Sequence, residues 1–145
     1  MSFVYFEGKM DYLAATPALI LTFRASGSMK PGRPCVFDAG NTGDVYQPTA
    51  SASGSLIPVG VVLKTVADQE ATPVLVWGVA KNLSVLSNVT LVPGHPLVVS
   101  GSASDCVWST SGSGAATVPV RVGGKVLSGS ASGASNLYAL IDCMR

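Results

Sequence analysis

Pro31-Gly32-Arg33-Pro34-Cys35-Val36 returns downstream as Pro93-Gly94-His95-Pro96-Leu97-Val98. The echo continues in both halves. Val59-Gly60-Val61-Val62-Leu63 is answered by Val122-Gly123-Gly124-Lys125-Val126-Leu127, and Pro73-Val74-Leu75-Val76-Trp77 by Asn136-Leu137-Tyr138-Ala139-Leu140-Ile141. A Pro-Gly turn, an apolar strand, a Gly/Ser loop and a Val-Gly strand are laid down twice, over residues 31–90 and 93–145. Recurrence at this spacing predicts a small all-β body used as architecture, not a chain organised around a catalytic centre.

Outward from these phrases, short runs rich in Val, Ile, Thr, Tyr and Trp alternate with turn chemistry, as pleated packing favours. Strands are expected over 34–38, 44–48, 58–66, 73–85, 96–100, 106–110, 117–122 and 137–143. Ala39-Gly40-Asn41-Thr42-Gly43-Asp44 reads as a turn in which glycine supplies positive φ, and Gly123-Gly124 as a tight turn. Residues 50–55, 100–104 and 109–115 read as Ser/Gly/Ala loops. No segment sustains helical periodicity; Asp68-Gln69-Glu70-Ala71 has room for one helical turn at most. The fold class is all-β: a small β-barrel or sandwich of many short strands.

Composition narrows the function. A chain of 145 residues suits one domain with a real core. Only 12% of residues are charged while 48% are hydrophobic, so apolar surface must remain exposed unless other chains cover it. Assembly on itself or on a larger surface is one reading; a well-buried domain with a Ser/Thr exterior is the other. The net charge is +1, and Lys9, Lys30, Lys64, Lys81 and Lys125 are dispersed, which argues against nucleic acid as partner. No run of about eighteen apolar residues is present, so no membrane span is expected. The start, Met1-Ser2-Phe3-Val4-Tyr5-Phe6-Glu7, lacks a signal peptide's basic end and apolar core. Cys35, Cys106 and Cys143 are odd in number and scattered, so free thiols made in a cytoplasm are expected.

Residues 1–29 read differently from the body over 30–145. An aromatic segment, Phe3-Val4-Tyr5-Phe6, precedes the apolar run Ala18-Leu19-Ile20-Leu21-Thr22-Phe23, and Ala25-Ser26-Gly27-Ser28 follows as a flexible joint. This suits an extended N-terminal arm that adds a strand to a partner through Phe3, Tyr5, Phe6, Leu19, Ile20, Leu21 and Phe23. The other reading is an ordinary first strand of the barrel.

The chemistry-bearing residues do not converge. His95, the only histidine, sits between Gly94 and Pro96, and no nucleophile-elbow motif accompanies it. Asp38, Asp44 and Asp105 have nothing local that would position them as paired acids. Cys35, His95, Cys106 and Cys143 lack zinc spacing. Residues 38–44 resemble an oxygen-ligand calcium loop without its closing glutamate. Val59-Gly60-Val61 and Gly112-Ser113-Gly114 are not phosphate loops, because no Gly-Lys-Ser/Thr follows either. No catalytic residue, cofactor or metal is expected.

The ordered series Lys30-Pro31-Gly32-Arg33-Pro34-Cys35-Val36, Pro58-Val59-Gly60-Val61-Val62-Leu63, Val74-Leu75-Val76-Trp77-Gly78-Val79-Ala80, Pro93-Gly94-His95-Pro96-Leu97-Val98 and Val122-Gly123-Gly124-Lys125-Val126-Leu127 resembles the capsid decoration, or cement, proteins of tailed bacteriophages, in particular the lambda-type head decoration proteins and their small β-tulip relatives. The resemblance implies a β-tulip-like body, a homotrimer on the outer surface of the virion, and the major capsid protein as partner. It implies a shell-stabilising role without enzymatic activity, with the arm reaching onto the shell. A different class remains beside it: a receptor- or carbohydrate-binding β-module of a virion, with Trp77, Trp108, Tyr46 and Tyr138 as stacking candidates.

Overall fold

Backbone hydrogen bonding follows the repeated phrases. The structure, a computed structural model, describes residues 4–5, 17–40, 43–47, 57–85, 92–102, 105–110, 123–128 and 138–143. Its regular elements are all strands: β1 (Val4–Tyr5), β2 (Pro17–Ala25), β3 (Pro34–Phe37), β4 (Asp44–Tyr46), β5 (Gly60–Val62), β6 (Ala71–Lys81), β7 (Pro96–Ser102), β8 (Asp105–Thr110), β9 (Gly124–Ser128) and β10 (Tyr138–Asp142). The expected all-β class is what is observed. The strand expected over 117–122 and the loops over 50–55 and 111–115 fall outside the described residues. Asp68 and Gln69 form a turn, with Gln69 at φ 67°.

The strands make one sheet in the order β1-β2-β4-β3-β5-β6-β10-β9-β7-β8, and β2 also pairs with β6. That extra pairing closes a five-stranded ring, β2-β4-β3-β5-β6. A second ring runs β6-β10-β9-β7-β8. It closes where the chain leaving β6 meets β8: Val85 bridges Trp108 in parallel, and the Trp108 amide donates to the Ser84 carbonyl at 2.9 Å. The long strand β6 therefore serves both rings. Its first half ends the first, and its second half begins the other. Gly78, at φ 135°, lies between the halves, where a side chain would press on Ala18.

The two rings share one hydrogen-bond frame. In the first, Gly32 N donates to Val62 O, Val62 N to Arg33 O and Val59 N to Cys35 O. In the second, Gly94 N donates to Val126 O, Val126 N to His95 O and Gly123 N to Leu97 O. Both Pro-Gly turns place glycine at positive φ, 76° at Gly32 and 90° at Gly94. Register agrees as well: Val61 faces Leu75 as Lys125 faces Leu140, and Val62 faces Val74 as Val126 faces Ala139. Phe37 faces Val45 as Val99 faces Trp108. Leu21 faces Val74 as Ala80 faces Ala139, and Ala25 faces Val45 as Val85 faces Trp108.

This register corrects two expectations. The Gly123-Gly124 segment is no tight turn; Gly124 opens β9. It is glycine because a Cβ there would collide with the Leu140 carbonyl oxygen, just as one on Gly60 would collide with that of Leu75. Residues 17–29, expected in an arm, belong to the body. β2 pairs with β6 from Leu19 to Arg24, and is the counterpart of the second half of β6. The expected joint at 25–28 is tied down: Ala25 is fully buried, Ser26 N donates to Val45 O, and Gly27 N donates to Asp68 Oδ1 at 2.7 Å. Of the expected arm, β1 lies outside the rings and pairs along the start of β2.

Each ring encloses a core at matching positions. Ala25, Cys35, Val45, Val59, Val62, Val74 and Val76 fill the first, joined by Met29 and Val66. Leu97, Trp108, Val126, Ala139 and Ile141 fill the second. The fillings differ in a compensated way. Trp108 stands where the first ring has Val45, and Gly123 where it has Val59. A Cβ on Gly123 would come within 2.6 Å of Trp108 Cζ3, so the missing side chain makes room for the indole. The second cluster continues onto outward-facing residues of the first ring, Val61 and Leu75, with Ile20 and Leu63 packed against it. Cys143 touches both cores and fastens them: its amide donates to Val76 O and its thiol to Gly123 O at 3.3 Å.

Candidate interaction surface

Directly paired residues on neighbouring strands point to the same face. Leu21 and Phe37 pair with Val74 and Val45, so both face the inside of the first ring, yet they lie at its end and are 41% and 56% exposed. Phe23 joins them, its ring meeting Phe37 edge-on with centroids 5.7 Å apart and planes at 79°. Such a pair adds about 0.5–1.5 kcal/mol beyond its buried area. The first ring thus has an apolar open end of Leu21, Phe23 and Phe37. The matching positions of the second ring, Ala80, Leu83 and Val99, are all buried, Ala80 at 6% and Val99 at 2%.

Polar groups flank this end. Arg24 Nε reaches both oxygens of the buried Asp44 carboxylate, at 2.9 and 3.1 Å, and Asp44 raises the Arg24 guanidinium above its ordinary pKa. Ser26 Oγ donates to Asp38 Oδ2, and Asp38 Oδ1 accepts from Gly40 N. These bonds tie the acidic side chains of the former calcium-loop candidate to protein partners, Asp44 to Arg24 and Asp38 to Ser26 and Gly40. Gly27 N, followed by the Gln69 side chain, holds the Asp68 carboxyl below its usual range. Among the described residues no group of three or more metal-ligating side chains comes together.

The sequence-predicted partner residues separate. Leu21 and Phe23 meet at the open end, together with Phe37, which lies outside the expected arm. Ile20 faces the opposite way, against the second core. Leu19 pairs with Trp77 where the rings join, and Trp77 is exposed there. Tyr5 pairs with Pro17 through β1, while Phe3 and Phe6 lie outside the described residues. Alternation in the sequence signals that Leu21 and Phe23 share a face. It does not reveal that the face is uncovered, because that depends on what stands at position 45 across the ring.

Other candidates take structural places. His95 accepts from Val126 N through its carbonyl, and its Nδ1 is buried without a hydrogen bond, so that nitrogen has no orienting carboxylate of the kind found in a catalytic triad. Cys35 is a buried thiol, and burial beside Asp142 pushes the Cys143 thiol up to about 12, far from a reactive thiolate. Trp108 is fully buried and offers no face to a sugar. No helix among the described residues is long and apolar enough to cross a membrane.

Comparison with known proteins gives a fold and no family. No protein-family model matches the chain, and no curated protein matches it in sequence. Among solved structures, the chain is similar to the N base of the head fiber gp8.5 of bacteriophage phi29, with a TM-score of 0.54 and 18% identity, over 87% of this chain and 95% of that one. At that identity the likeness establishes a shared all-β fold. The structure so matched is a head fiber base, not a lambda-type decoration protein.

Proposed function

We propose that the protein is a structural, non-enzymatic component of a bacteriophage virion that sits on the outer surface of the capsid, as a homotrimer bound to the major capsid protein, and stabilises the shell. The observation that carries this reading is the fold shared with a phage head fiber base over nearly the whole of both chains. The exposed Leu21, Phe37, Trp77 and Leu127 support it, because a chain working alone in water gains nothing from large apolar side chains on its surface. A trimer that binds only the assembled shell stabilises that state by mass action, and three contacts on one trimer act multivalently. Neither effect requires a catalytic group.

The test is to add purified protein to expanded heads assembled without it. Saturable binding and a higher rupture temperature are expected, with no metal requirement. Heads that neither bind the protein nor differ in rupture temperature would refute the proposal. A glycan-binding screen addresses the carbohydrate alternative, for which Trp77 is the exposed indole among the described residues.

A further inference from the structure

The chain already contains one contact between its two barrels. The cluster that fills the second ring, Trp108 included, joins two of its end positions, Ala80 and Leu83, to the outer wall of the first ring, Val61 and Leu75, with Ile20 and Leu63 alongside. An open end seated on a wall is therefore how this fold buries barrel 2. Barrel 1 has an open end of the same construction, Leu21, Phe23 and Phe37, and it is exposed. Barrel 2 in turn has a wall of the same construction. By register, Leu140 stands where barrel 1 has Leu75, Leu127 where it has Leu63, Val79 where it has Ile20, and Lys125 where it has Val61. On that wall Leu127 is 46% exposed, Leu140 is half-buried and Val79 is buried. The molecule thus carries one open end and one wall left open around Leu127, at opposite members of its duplicated frame.

The geometry points to a head-to-tail contact between copies of this chain, in which the open end of the first barrel, Leu21, Phe23 and Phe37, seats on the wall of the second barrel of the next copy at Leu127 and Leu140. The contact repeats between chains the one that β6 enforces within the chain. Lys125 in place of Val61 fits an edge position, where its aliphatic stem covers apolar surface and its ammonium stays in water. A heterologous contact uses two different patches and satisfies every copy only when the ring closes. This agrees with the homotrimer of the proposed function, on which the ring size rests. The end-to-wall pairing itself comes from the duplicated frame.

Complementation between two variants tests it. Phe37→Asp spoils the end and keeps the wall; Leu127→Asp spoils the wall and keeps the end. Both positions are exposed, and thermal melting of each variant checks its fold, with Phe37→Ser and Leu127→Lys as milder versions. In sedimentation the unaltered protein is expected at three times 14.7 kDa, and each variant alone at 14.7 kDa. Their equimolar mixture is expected to form a dimer and nothing larger, because one intact end then meets one intact wall. An unaltered protein that is monomeric would overturn this inference and the homotrimer reading together. Variants that stay trimeric would overturn the inference alone. Dissociation by Phe37→Asp without dissociation by Leu127→Asp would mean that something other than the wall covers the end, such as residues 6–16 or a copy's own end. Monomeric variants whose mixture stays monomeric would also overturn it.

Discussion

Barrel 1 and barrel 2 have the same backbone and different contents. Their Pro-Gly turns, the registers set out above and three cross-strand hydrogen bonds correspond, while Val45 and Val59 in one become Trp108 and Gly123 in the other. The frame is therefore set by Pro-Gly turns and by two glycines, Gly60 and Gly124, that let strands approach closer than a Cβ allows. The filling is set by total volume. Residues that differ entirely serve the same place provided a large side chain on one strand meets a small one on the next. The ends differ too. Barrel 2 is closed by its neighbour in the same chain, and barrel 1 ends in exposed aromatics.

The comparison breaks most severely at Trp108. Trp108→Ala removes the largest buried side chain of barrel 2 opposite a glycine that cannot fill the gap, and is expected to cost about 3–5 kcal/mol in denaturant unfolding. Adding a methyl at either strand crossing comes next. Gly60→Ala and Gly124→Ala push a Cβ into a backbone carbonyl that cannot swing away, so each is expected to cost about 1–3 kcal/mol or more, to a similar extent in both barrels. Transplanting the filling sharpens the comparison: Trp108→Val and Gly123→Val are each destabilising, and together they give barrel 2 the pair found in barrel 1. A double-mutant cycle should show favourable coupling of about 0.5–3 kcal/mol, and additivity would mean that the two positions are not matched.

Matched changes at the ends should differ as well. Val99→Ser puts a hydroxyl into a closed core and should cost about 1–3 kcal/mol. Phe37→Ser, its counterpart, gives up chiefly the ring contact with Phe23, about 0.5–1.5 kcal/mol. Equal losses would show that the first end is closed. The smallest effect concerns acid. The Asp68 carboxyl is held below its ordinary value by Gly27 N, so its contribution is complete above the ordinary aspartate range and declines as pH falls through the lowered value. Asp68→Asn should flatten the acid limb of stability against pH by lowering stability slightly at neutral pH, and leave low pH unchanged, where the wild-type carboxyl is itself neutral.

The sequence displayed part of this plainly. Pro31-Gly32 and Pro93-Gly94 mark the same turn because glycine alone enters positive φ freely, and the Val-rich runs after them are strands for the reason that pleated packing favours them. The repeat boundary was hidden. Taken from the sequence, it begins at Pro31 and leaves β2 outside as an arm, whereas the counterpart of β2 lies inside β6, where Val76-Trp77-Gly78 carries no Pro or Asn to announce a junction. β9 was hidden because two adjacent glycines signal a turn locally, while here their smallness answers to Trp108 and to the carbonyl of Leu140, both distant in sequence. The uncovered end was hidden because Leu21 and Phe23 look like core residues in any alternating pattern; only the partner across the ring decides whether they are covered.

The central claim is that one five-stranded barrel is laid down twice and fused through β6. Amide hydrogen exchange on six residues tests it most directly: Gly32, Val59 and Val62 in one barrel, and Gly94, Gly123 and Val126 in the other. The account predicts that all six are protected, with the two sets slow under the same native conditions, because the same hydrogen bonds hold each set. Protection of the first three with free exchange of Gly94, Gly123 and Val126 would contradict it.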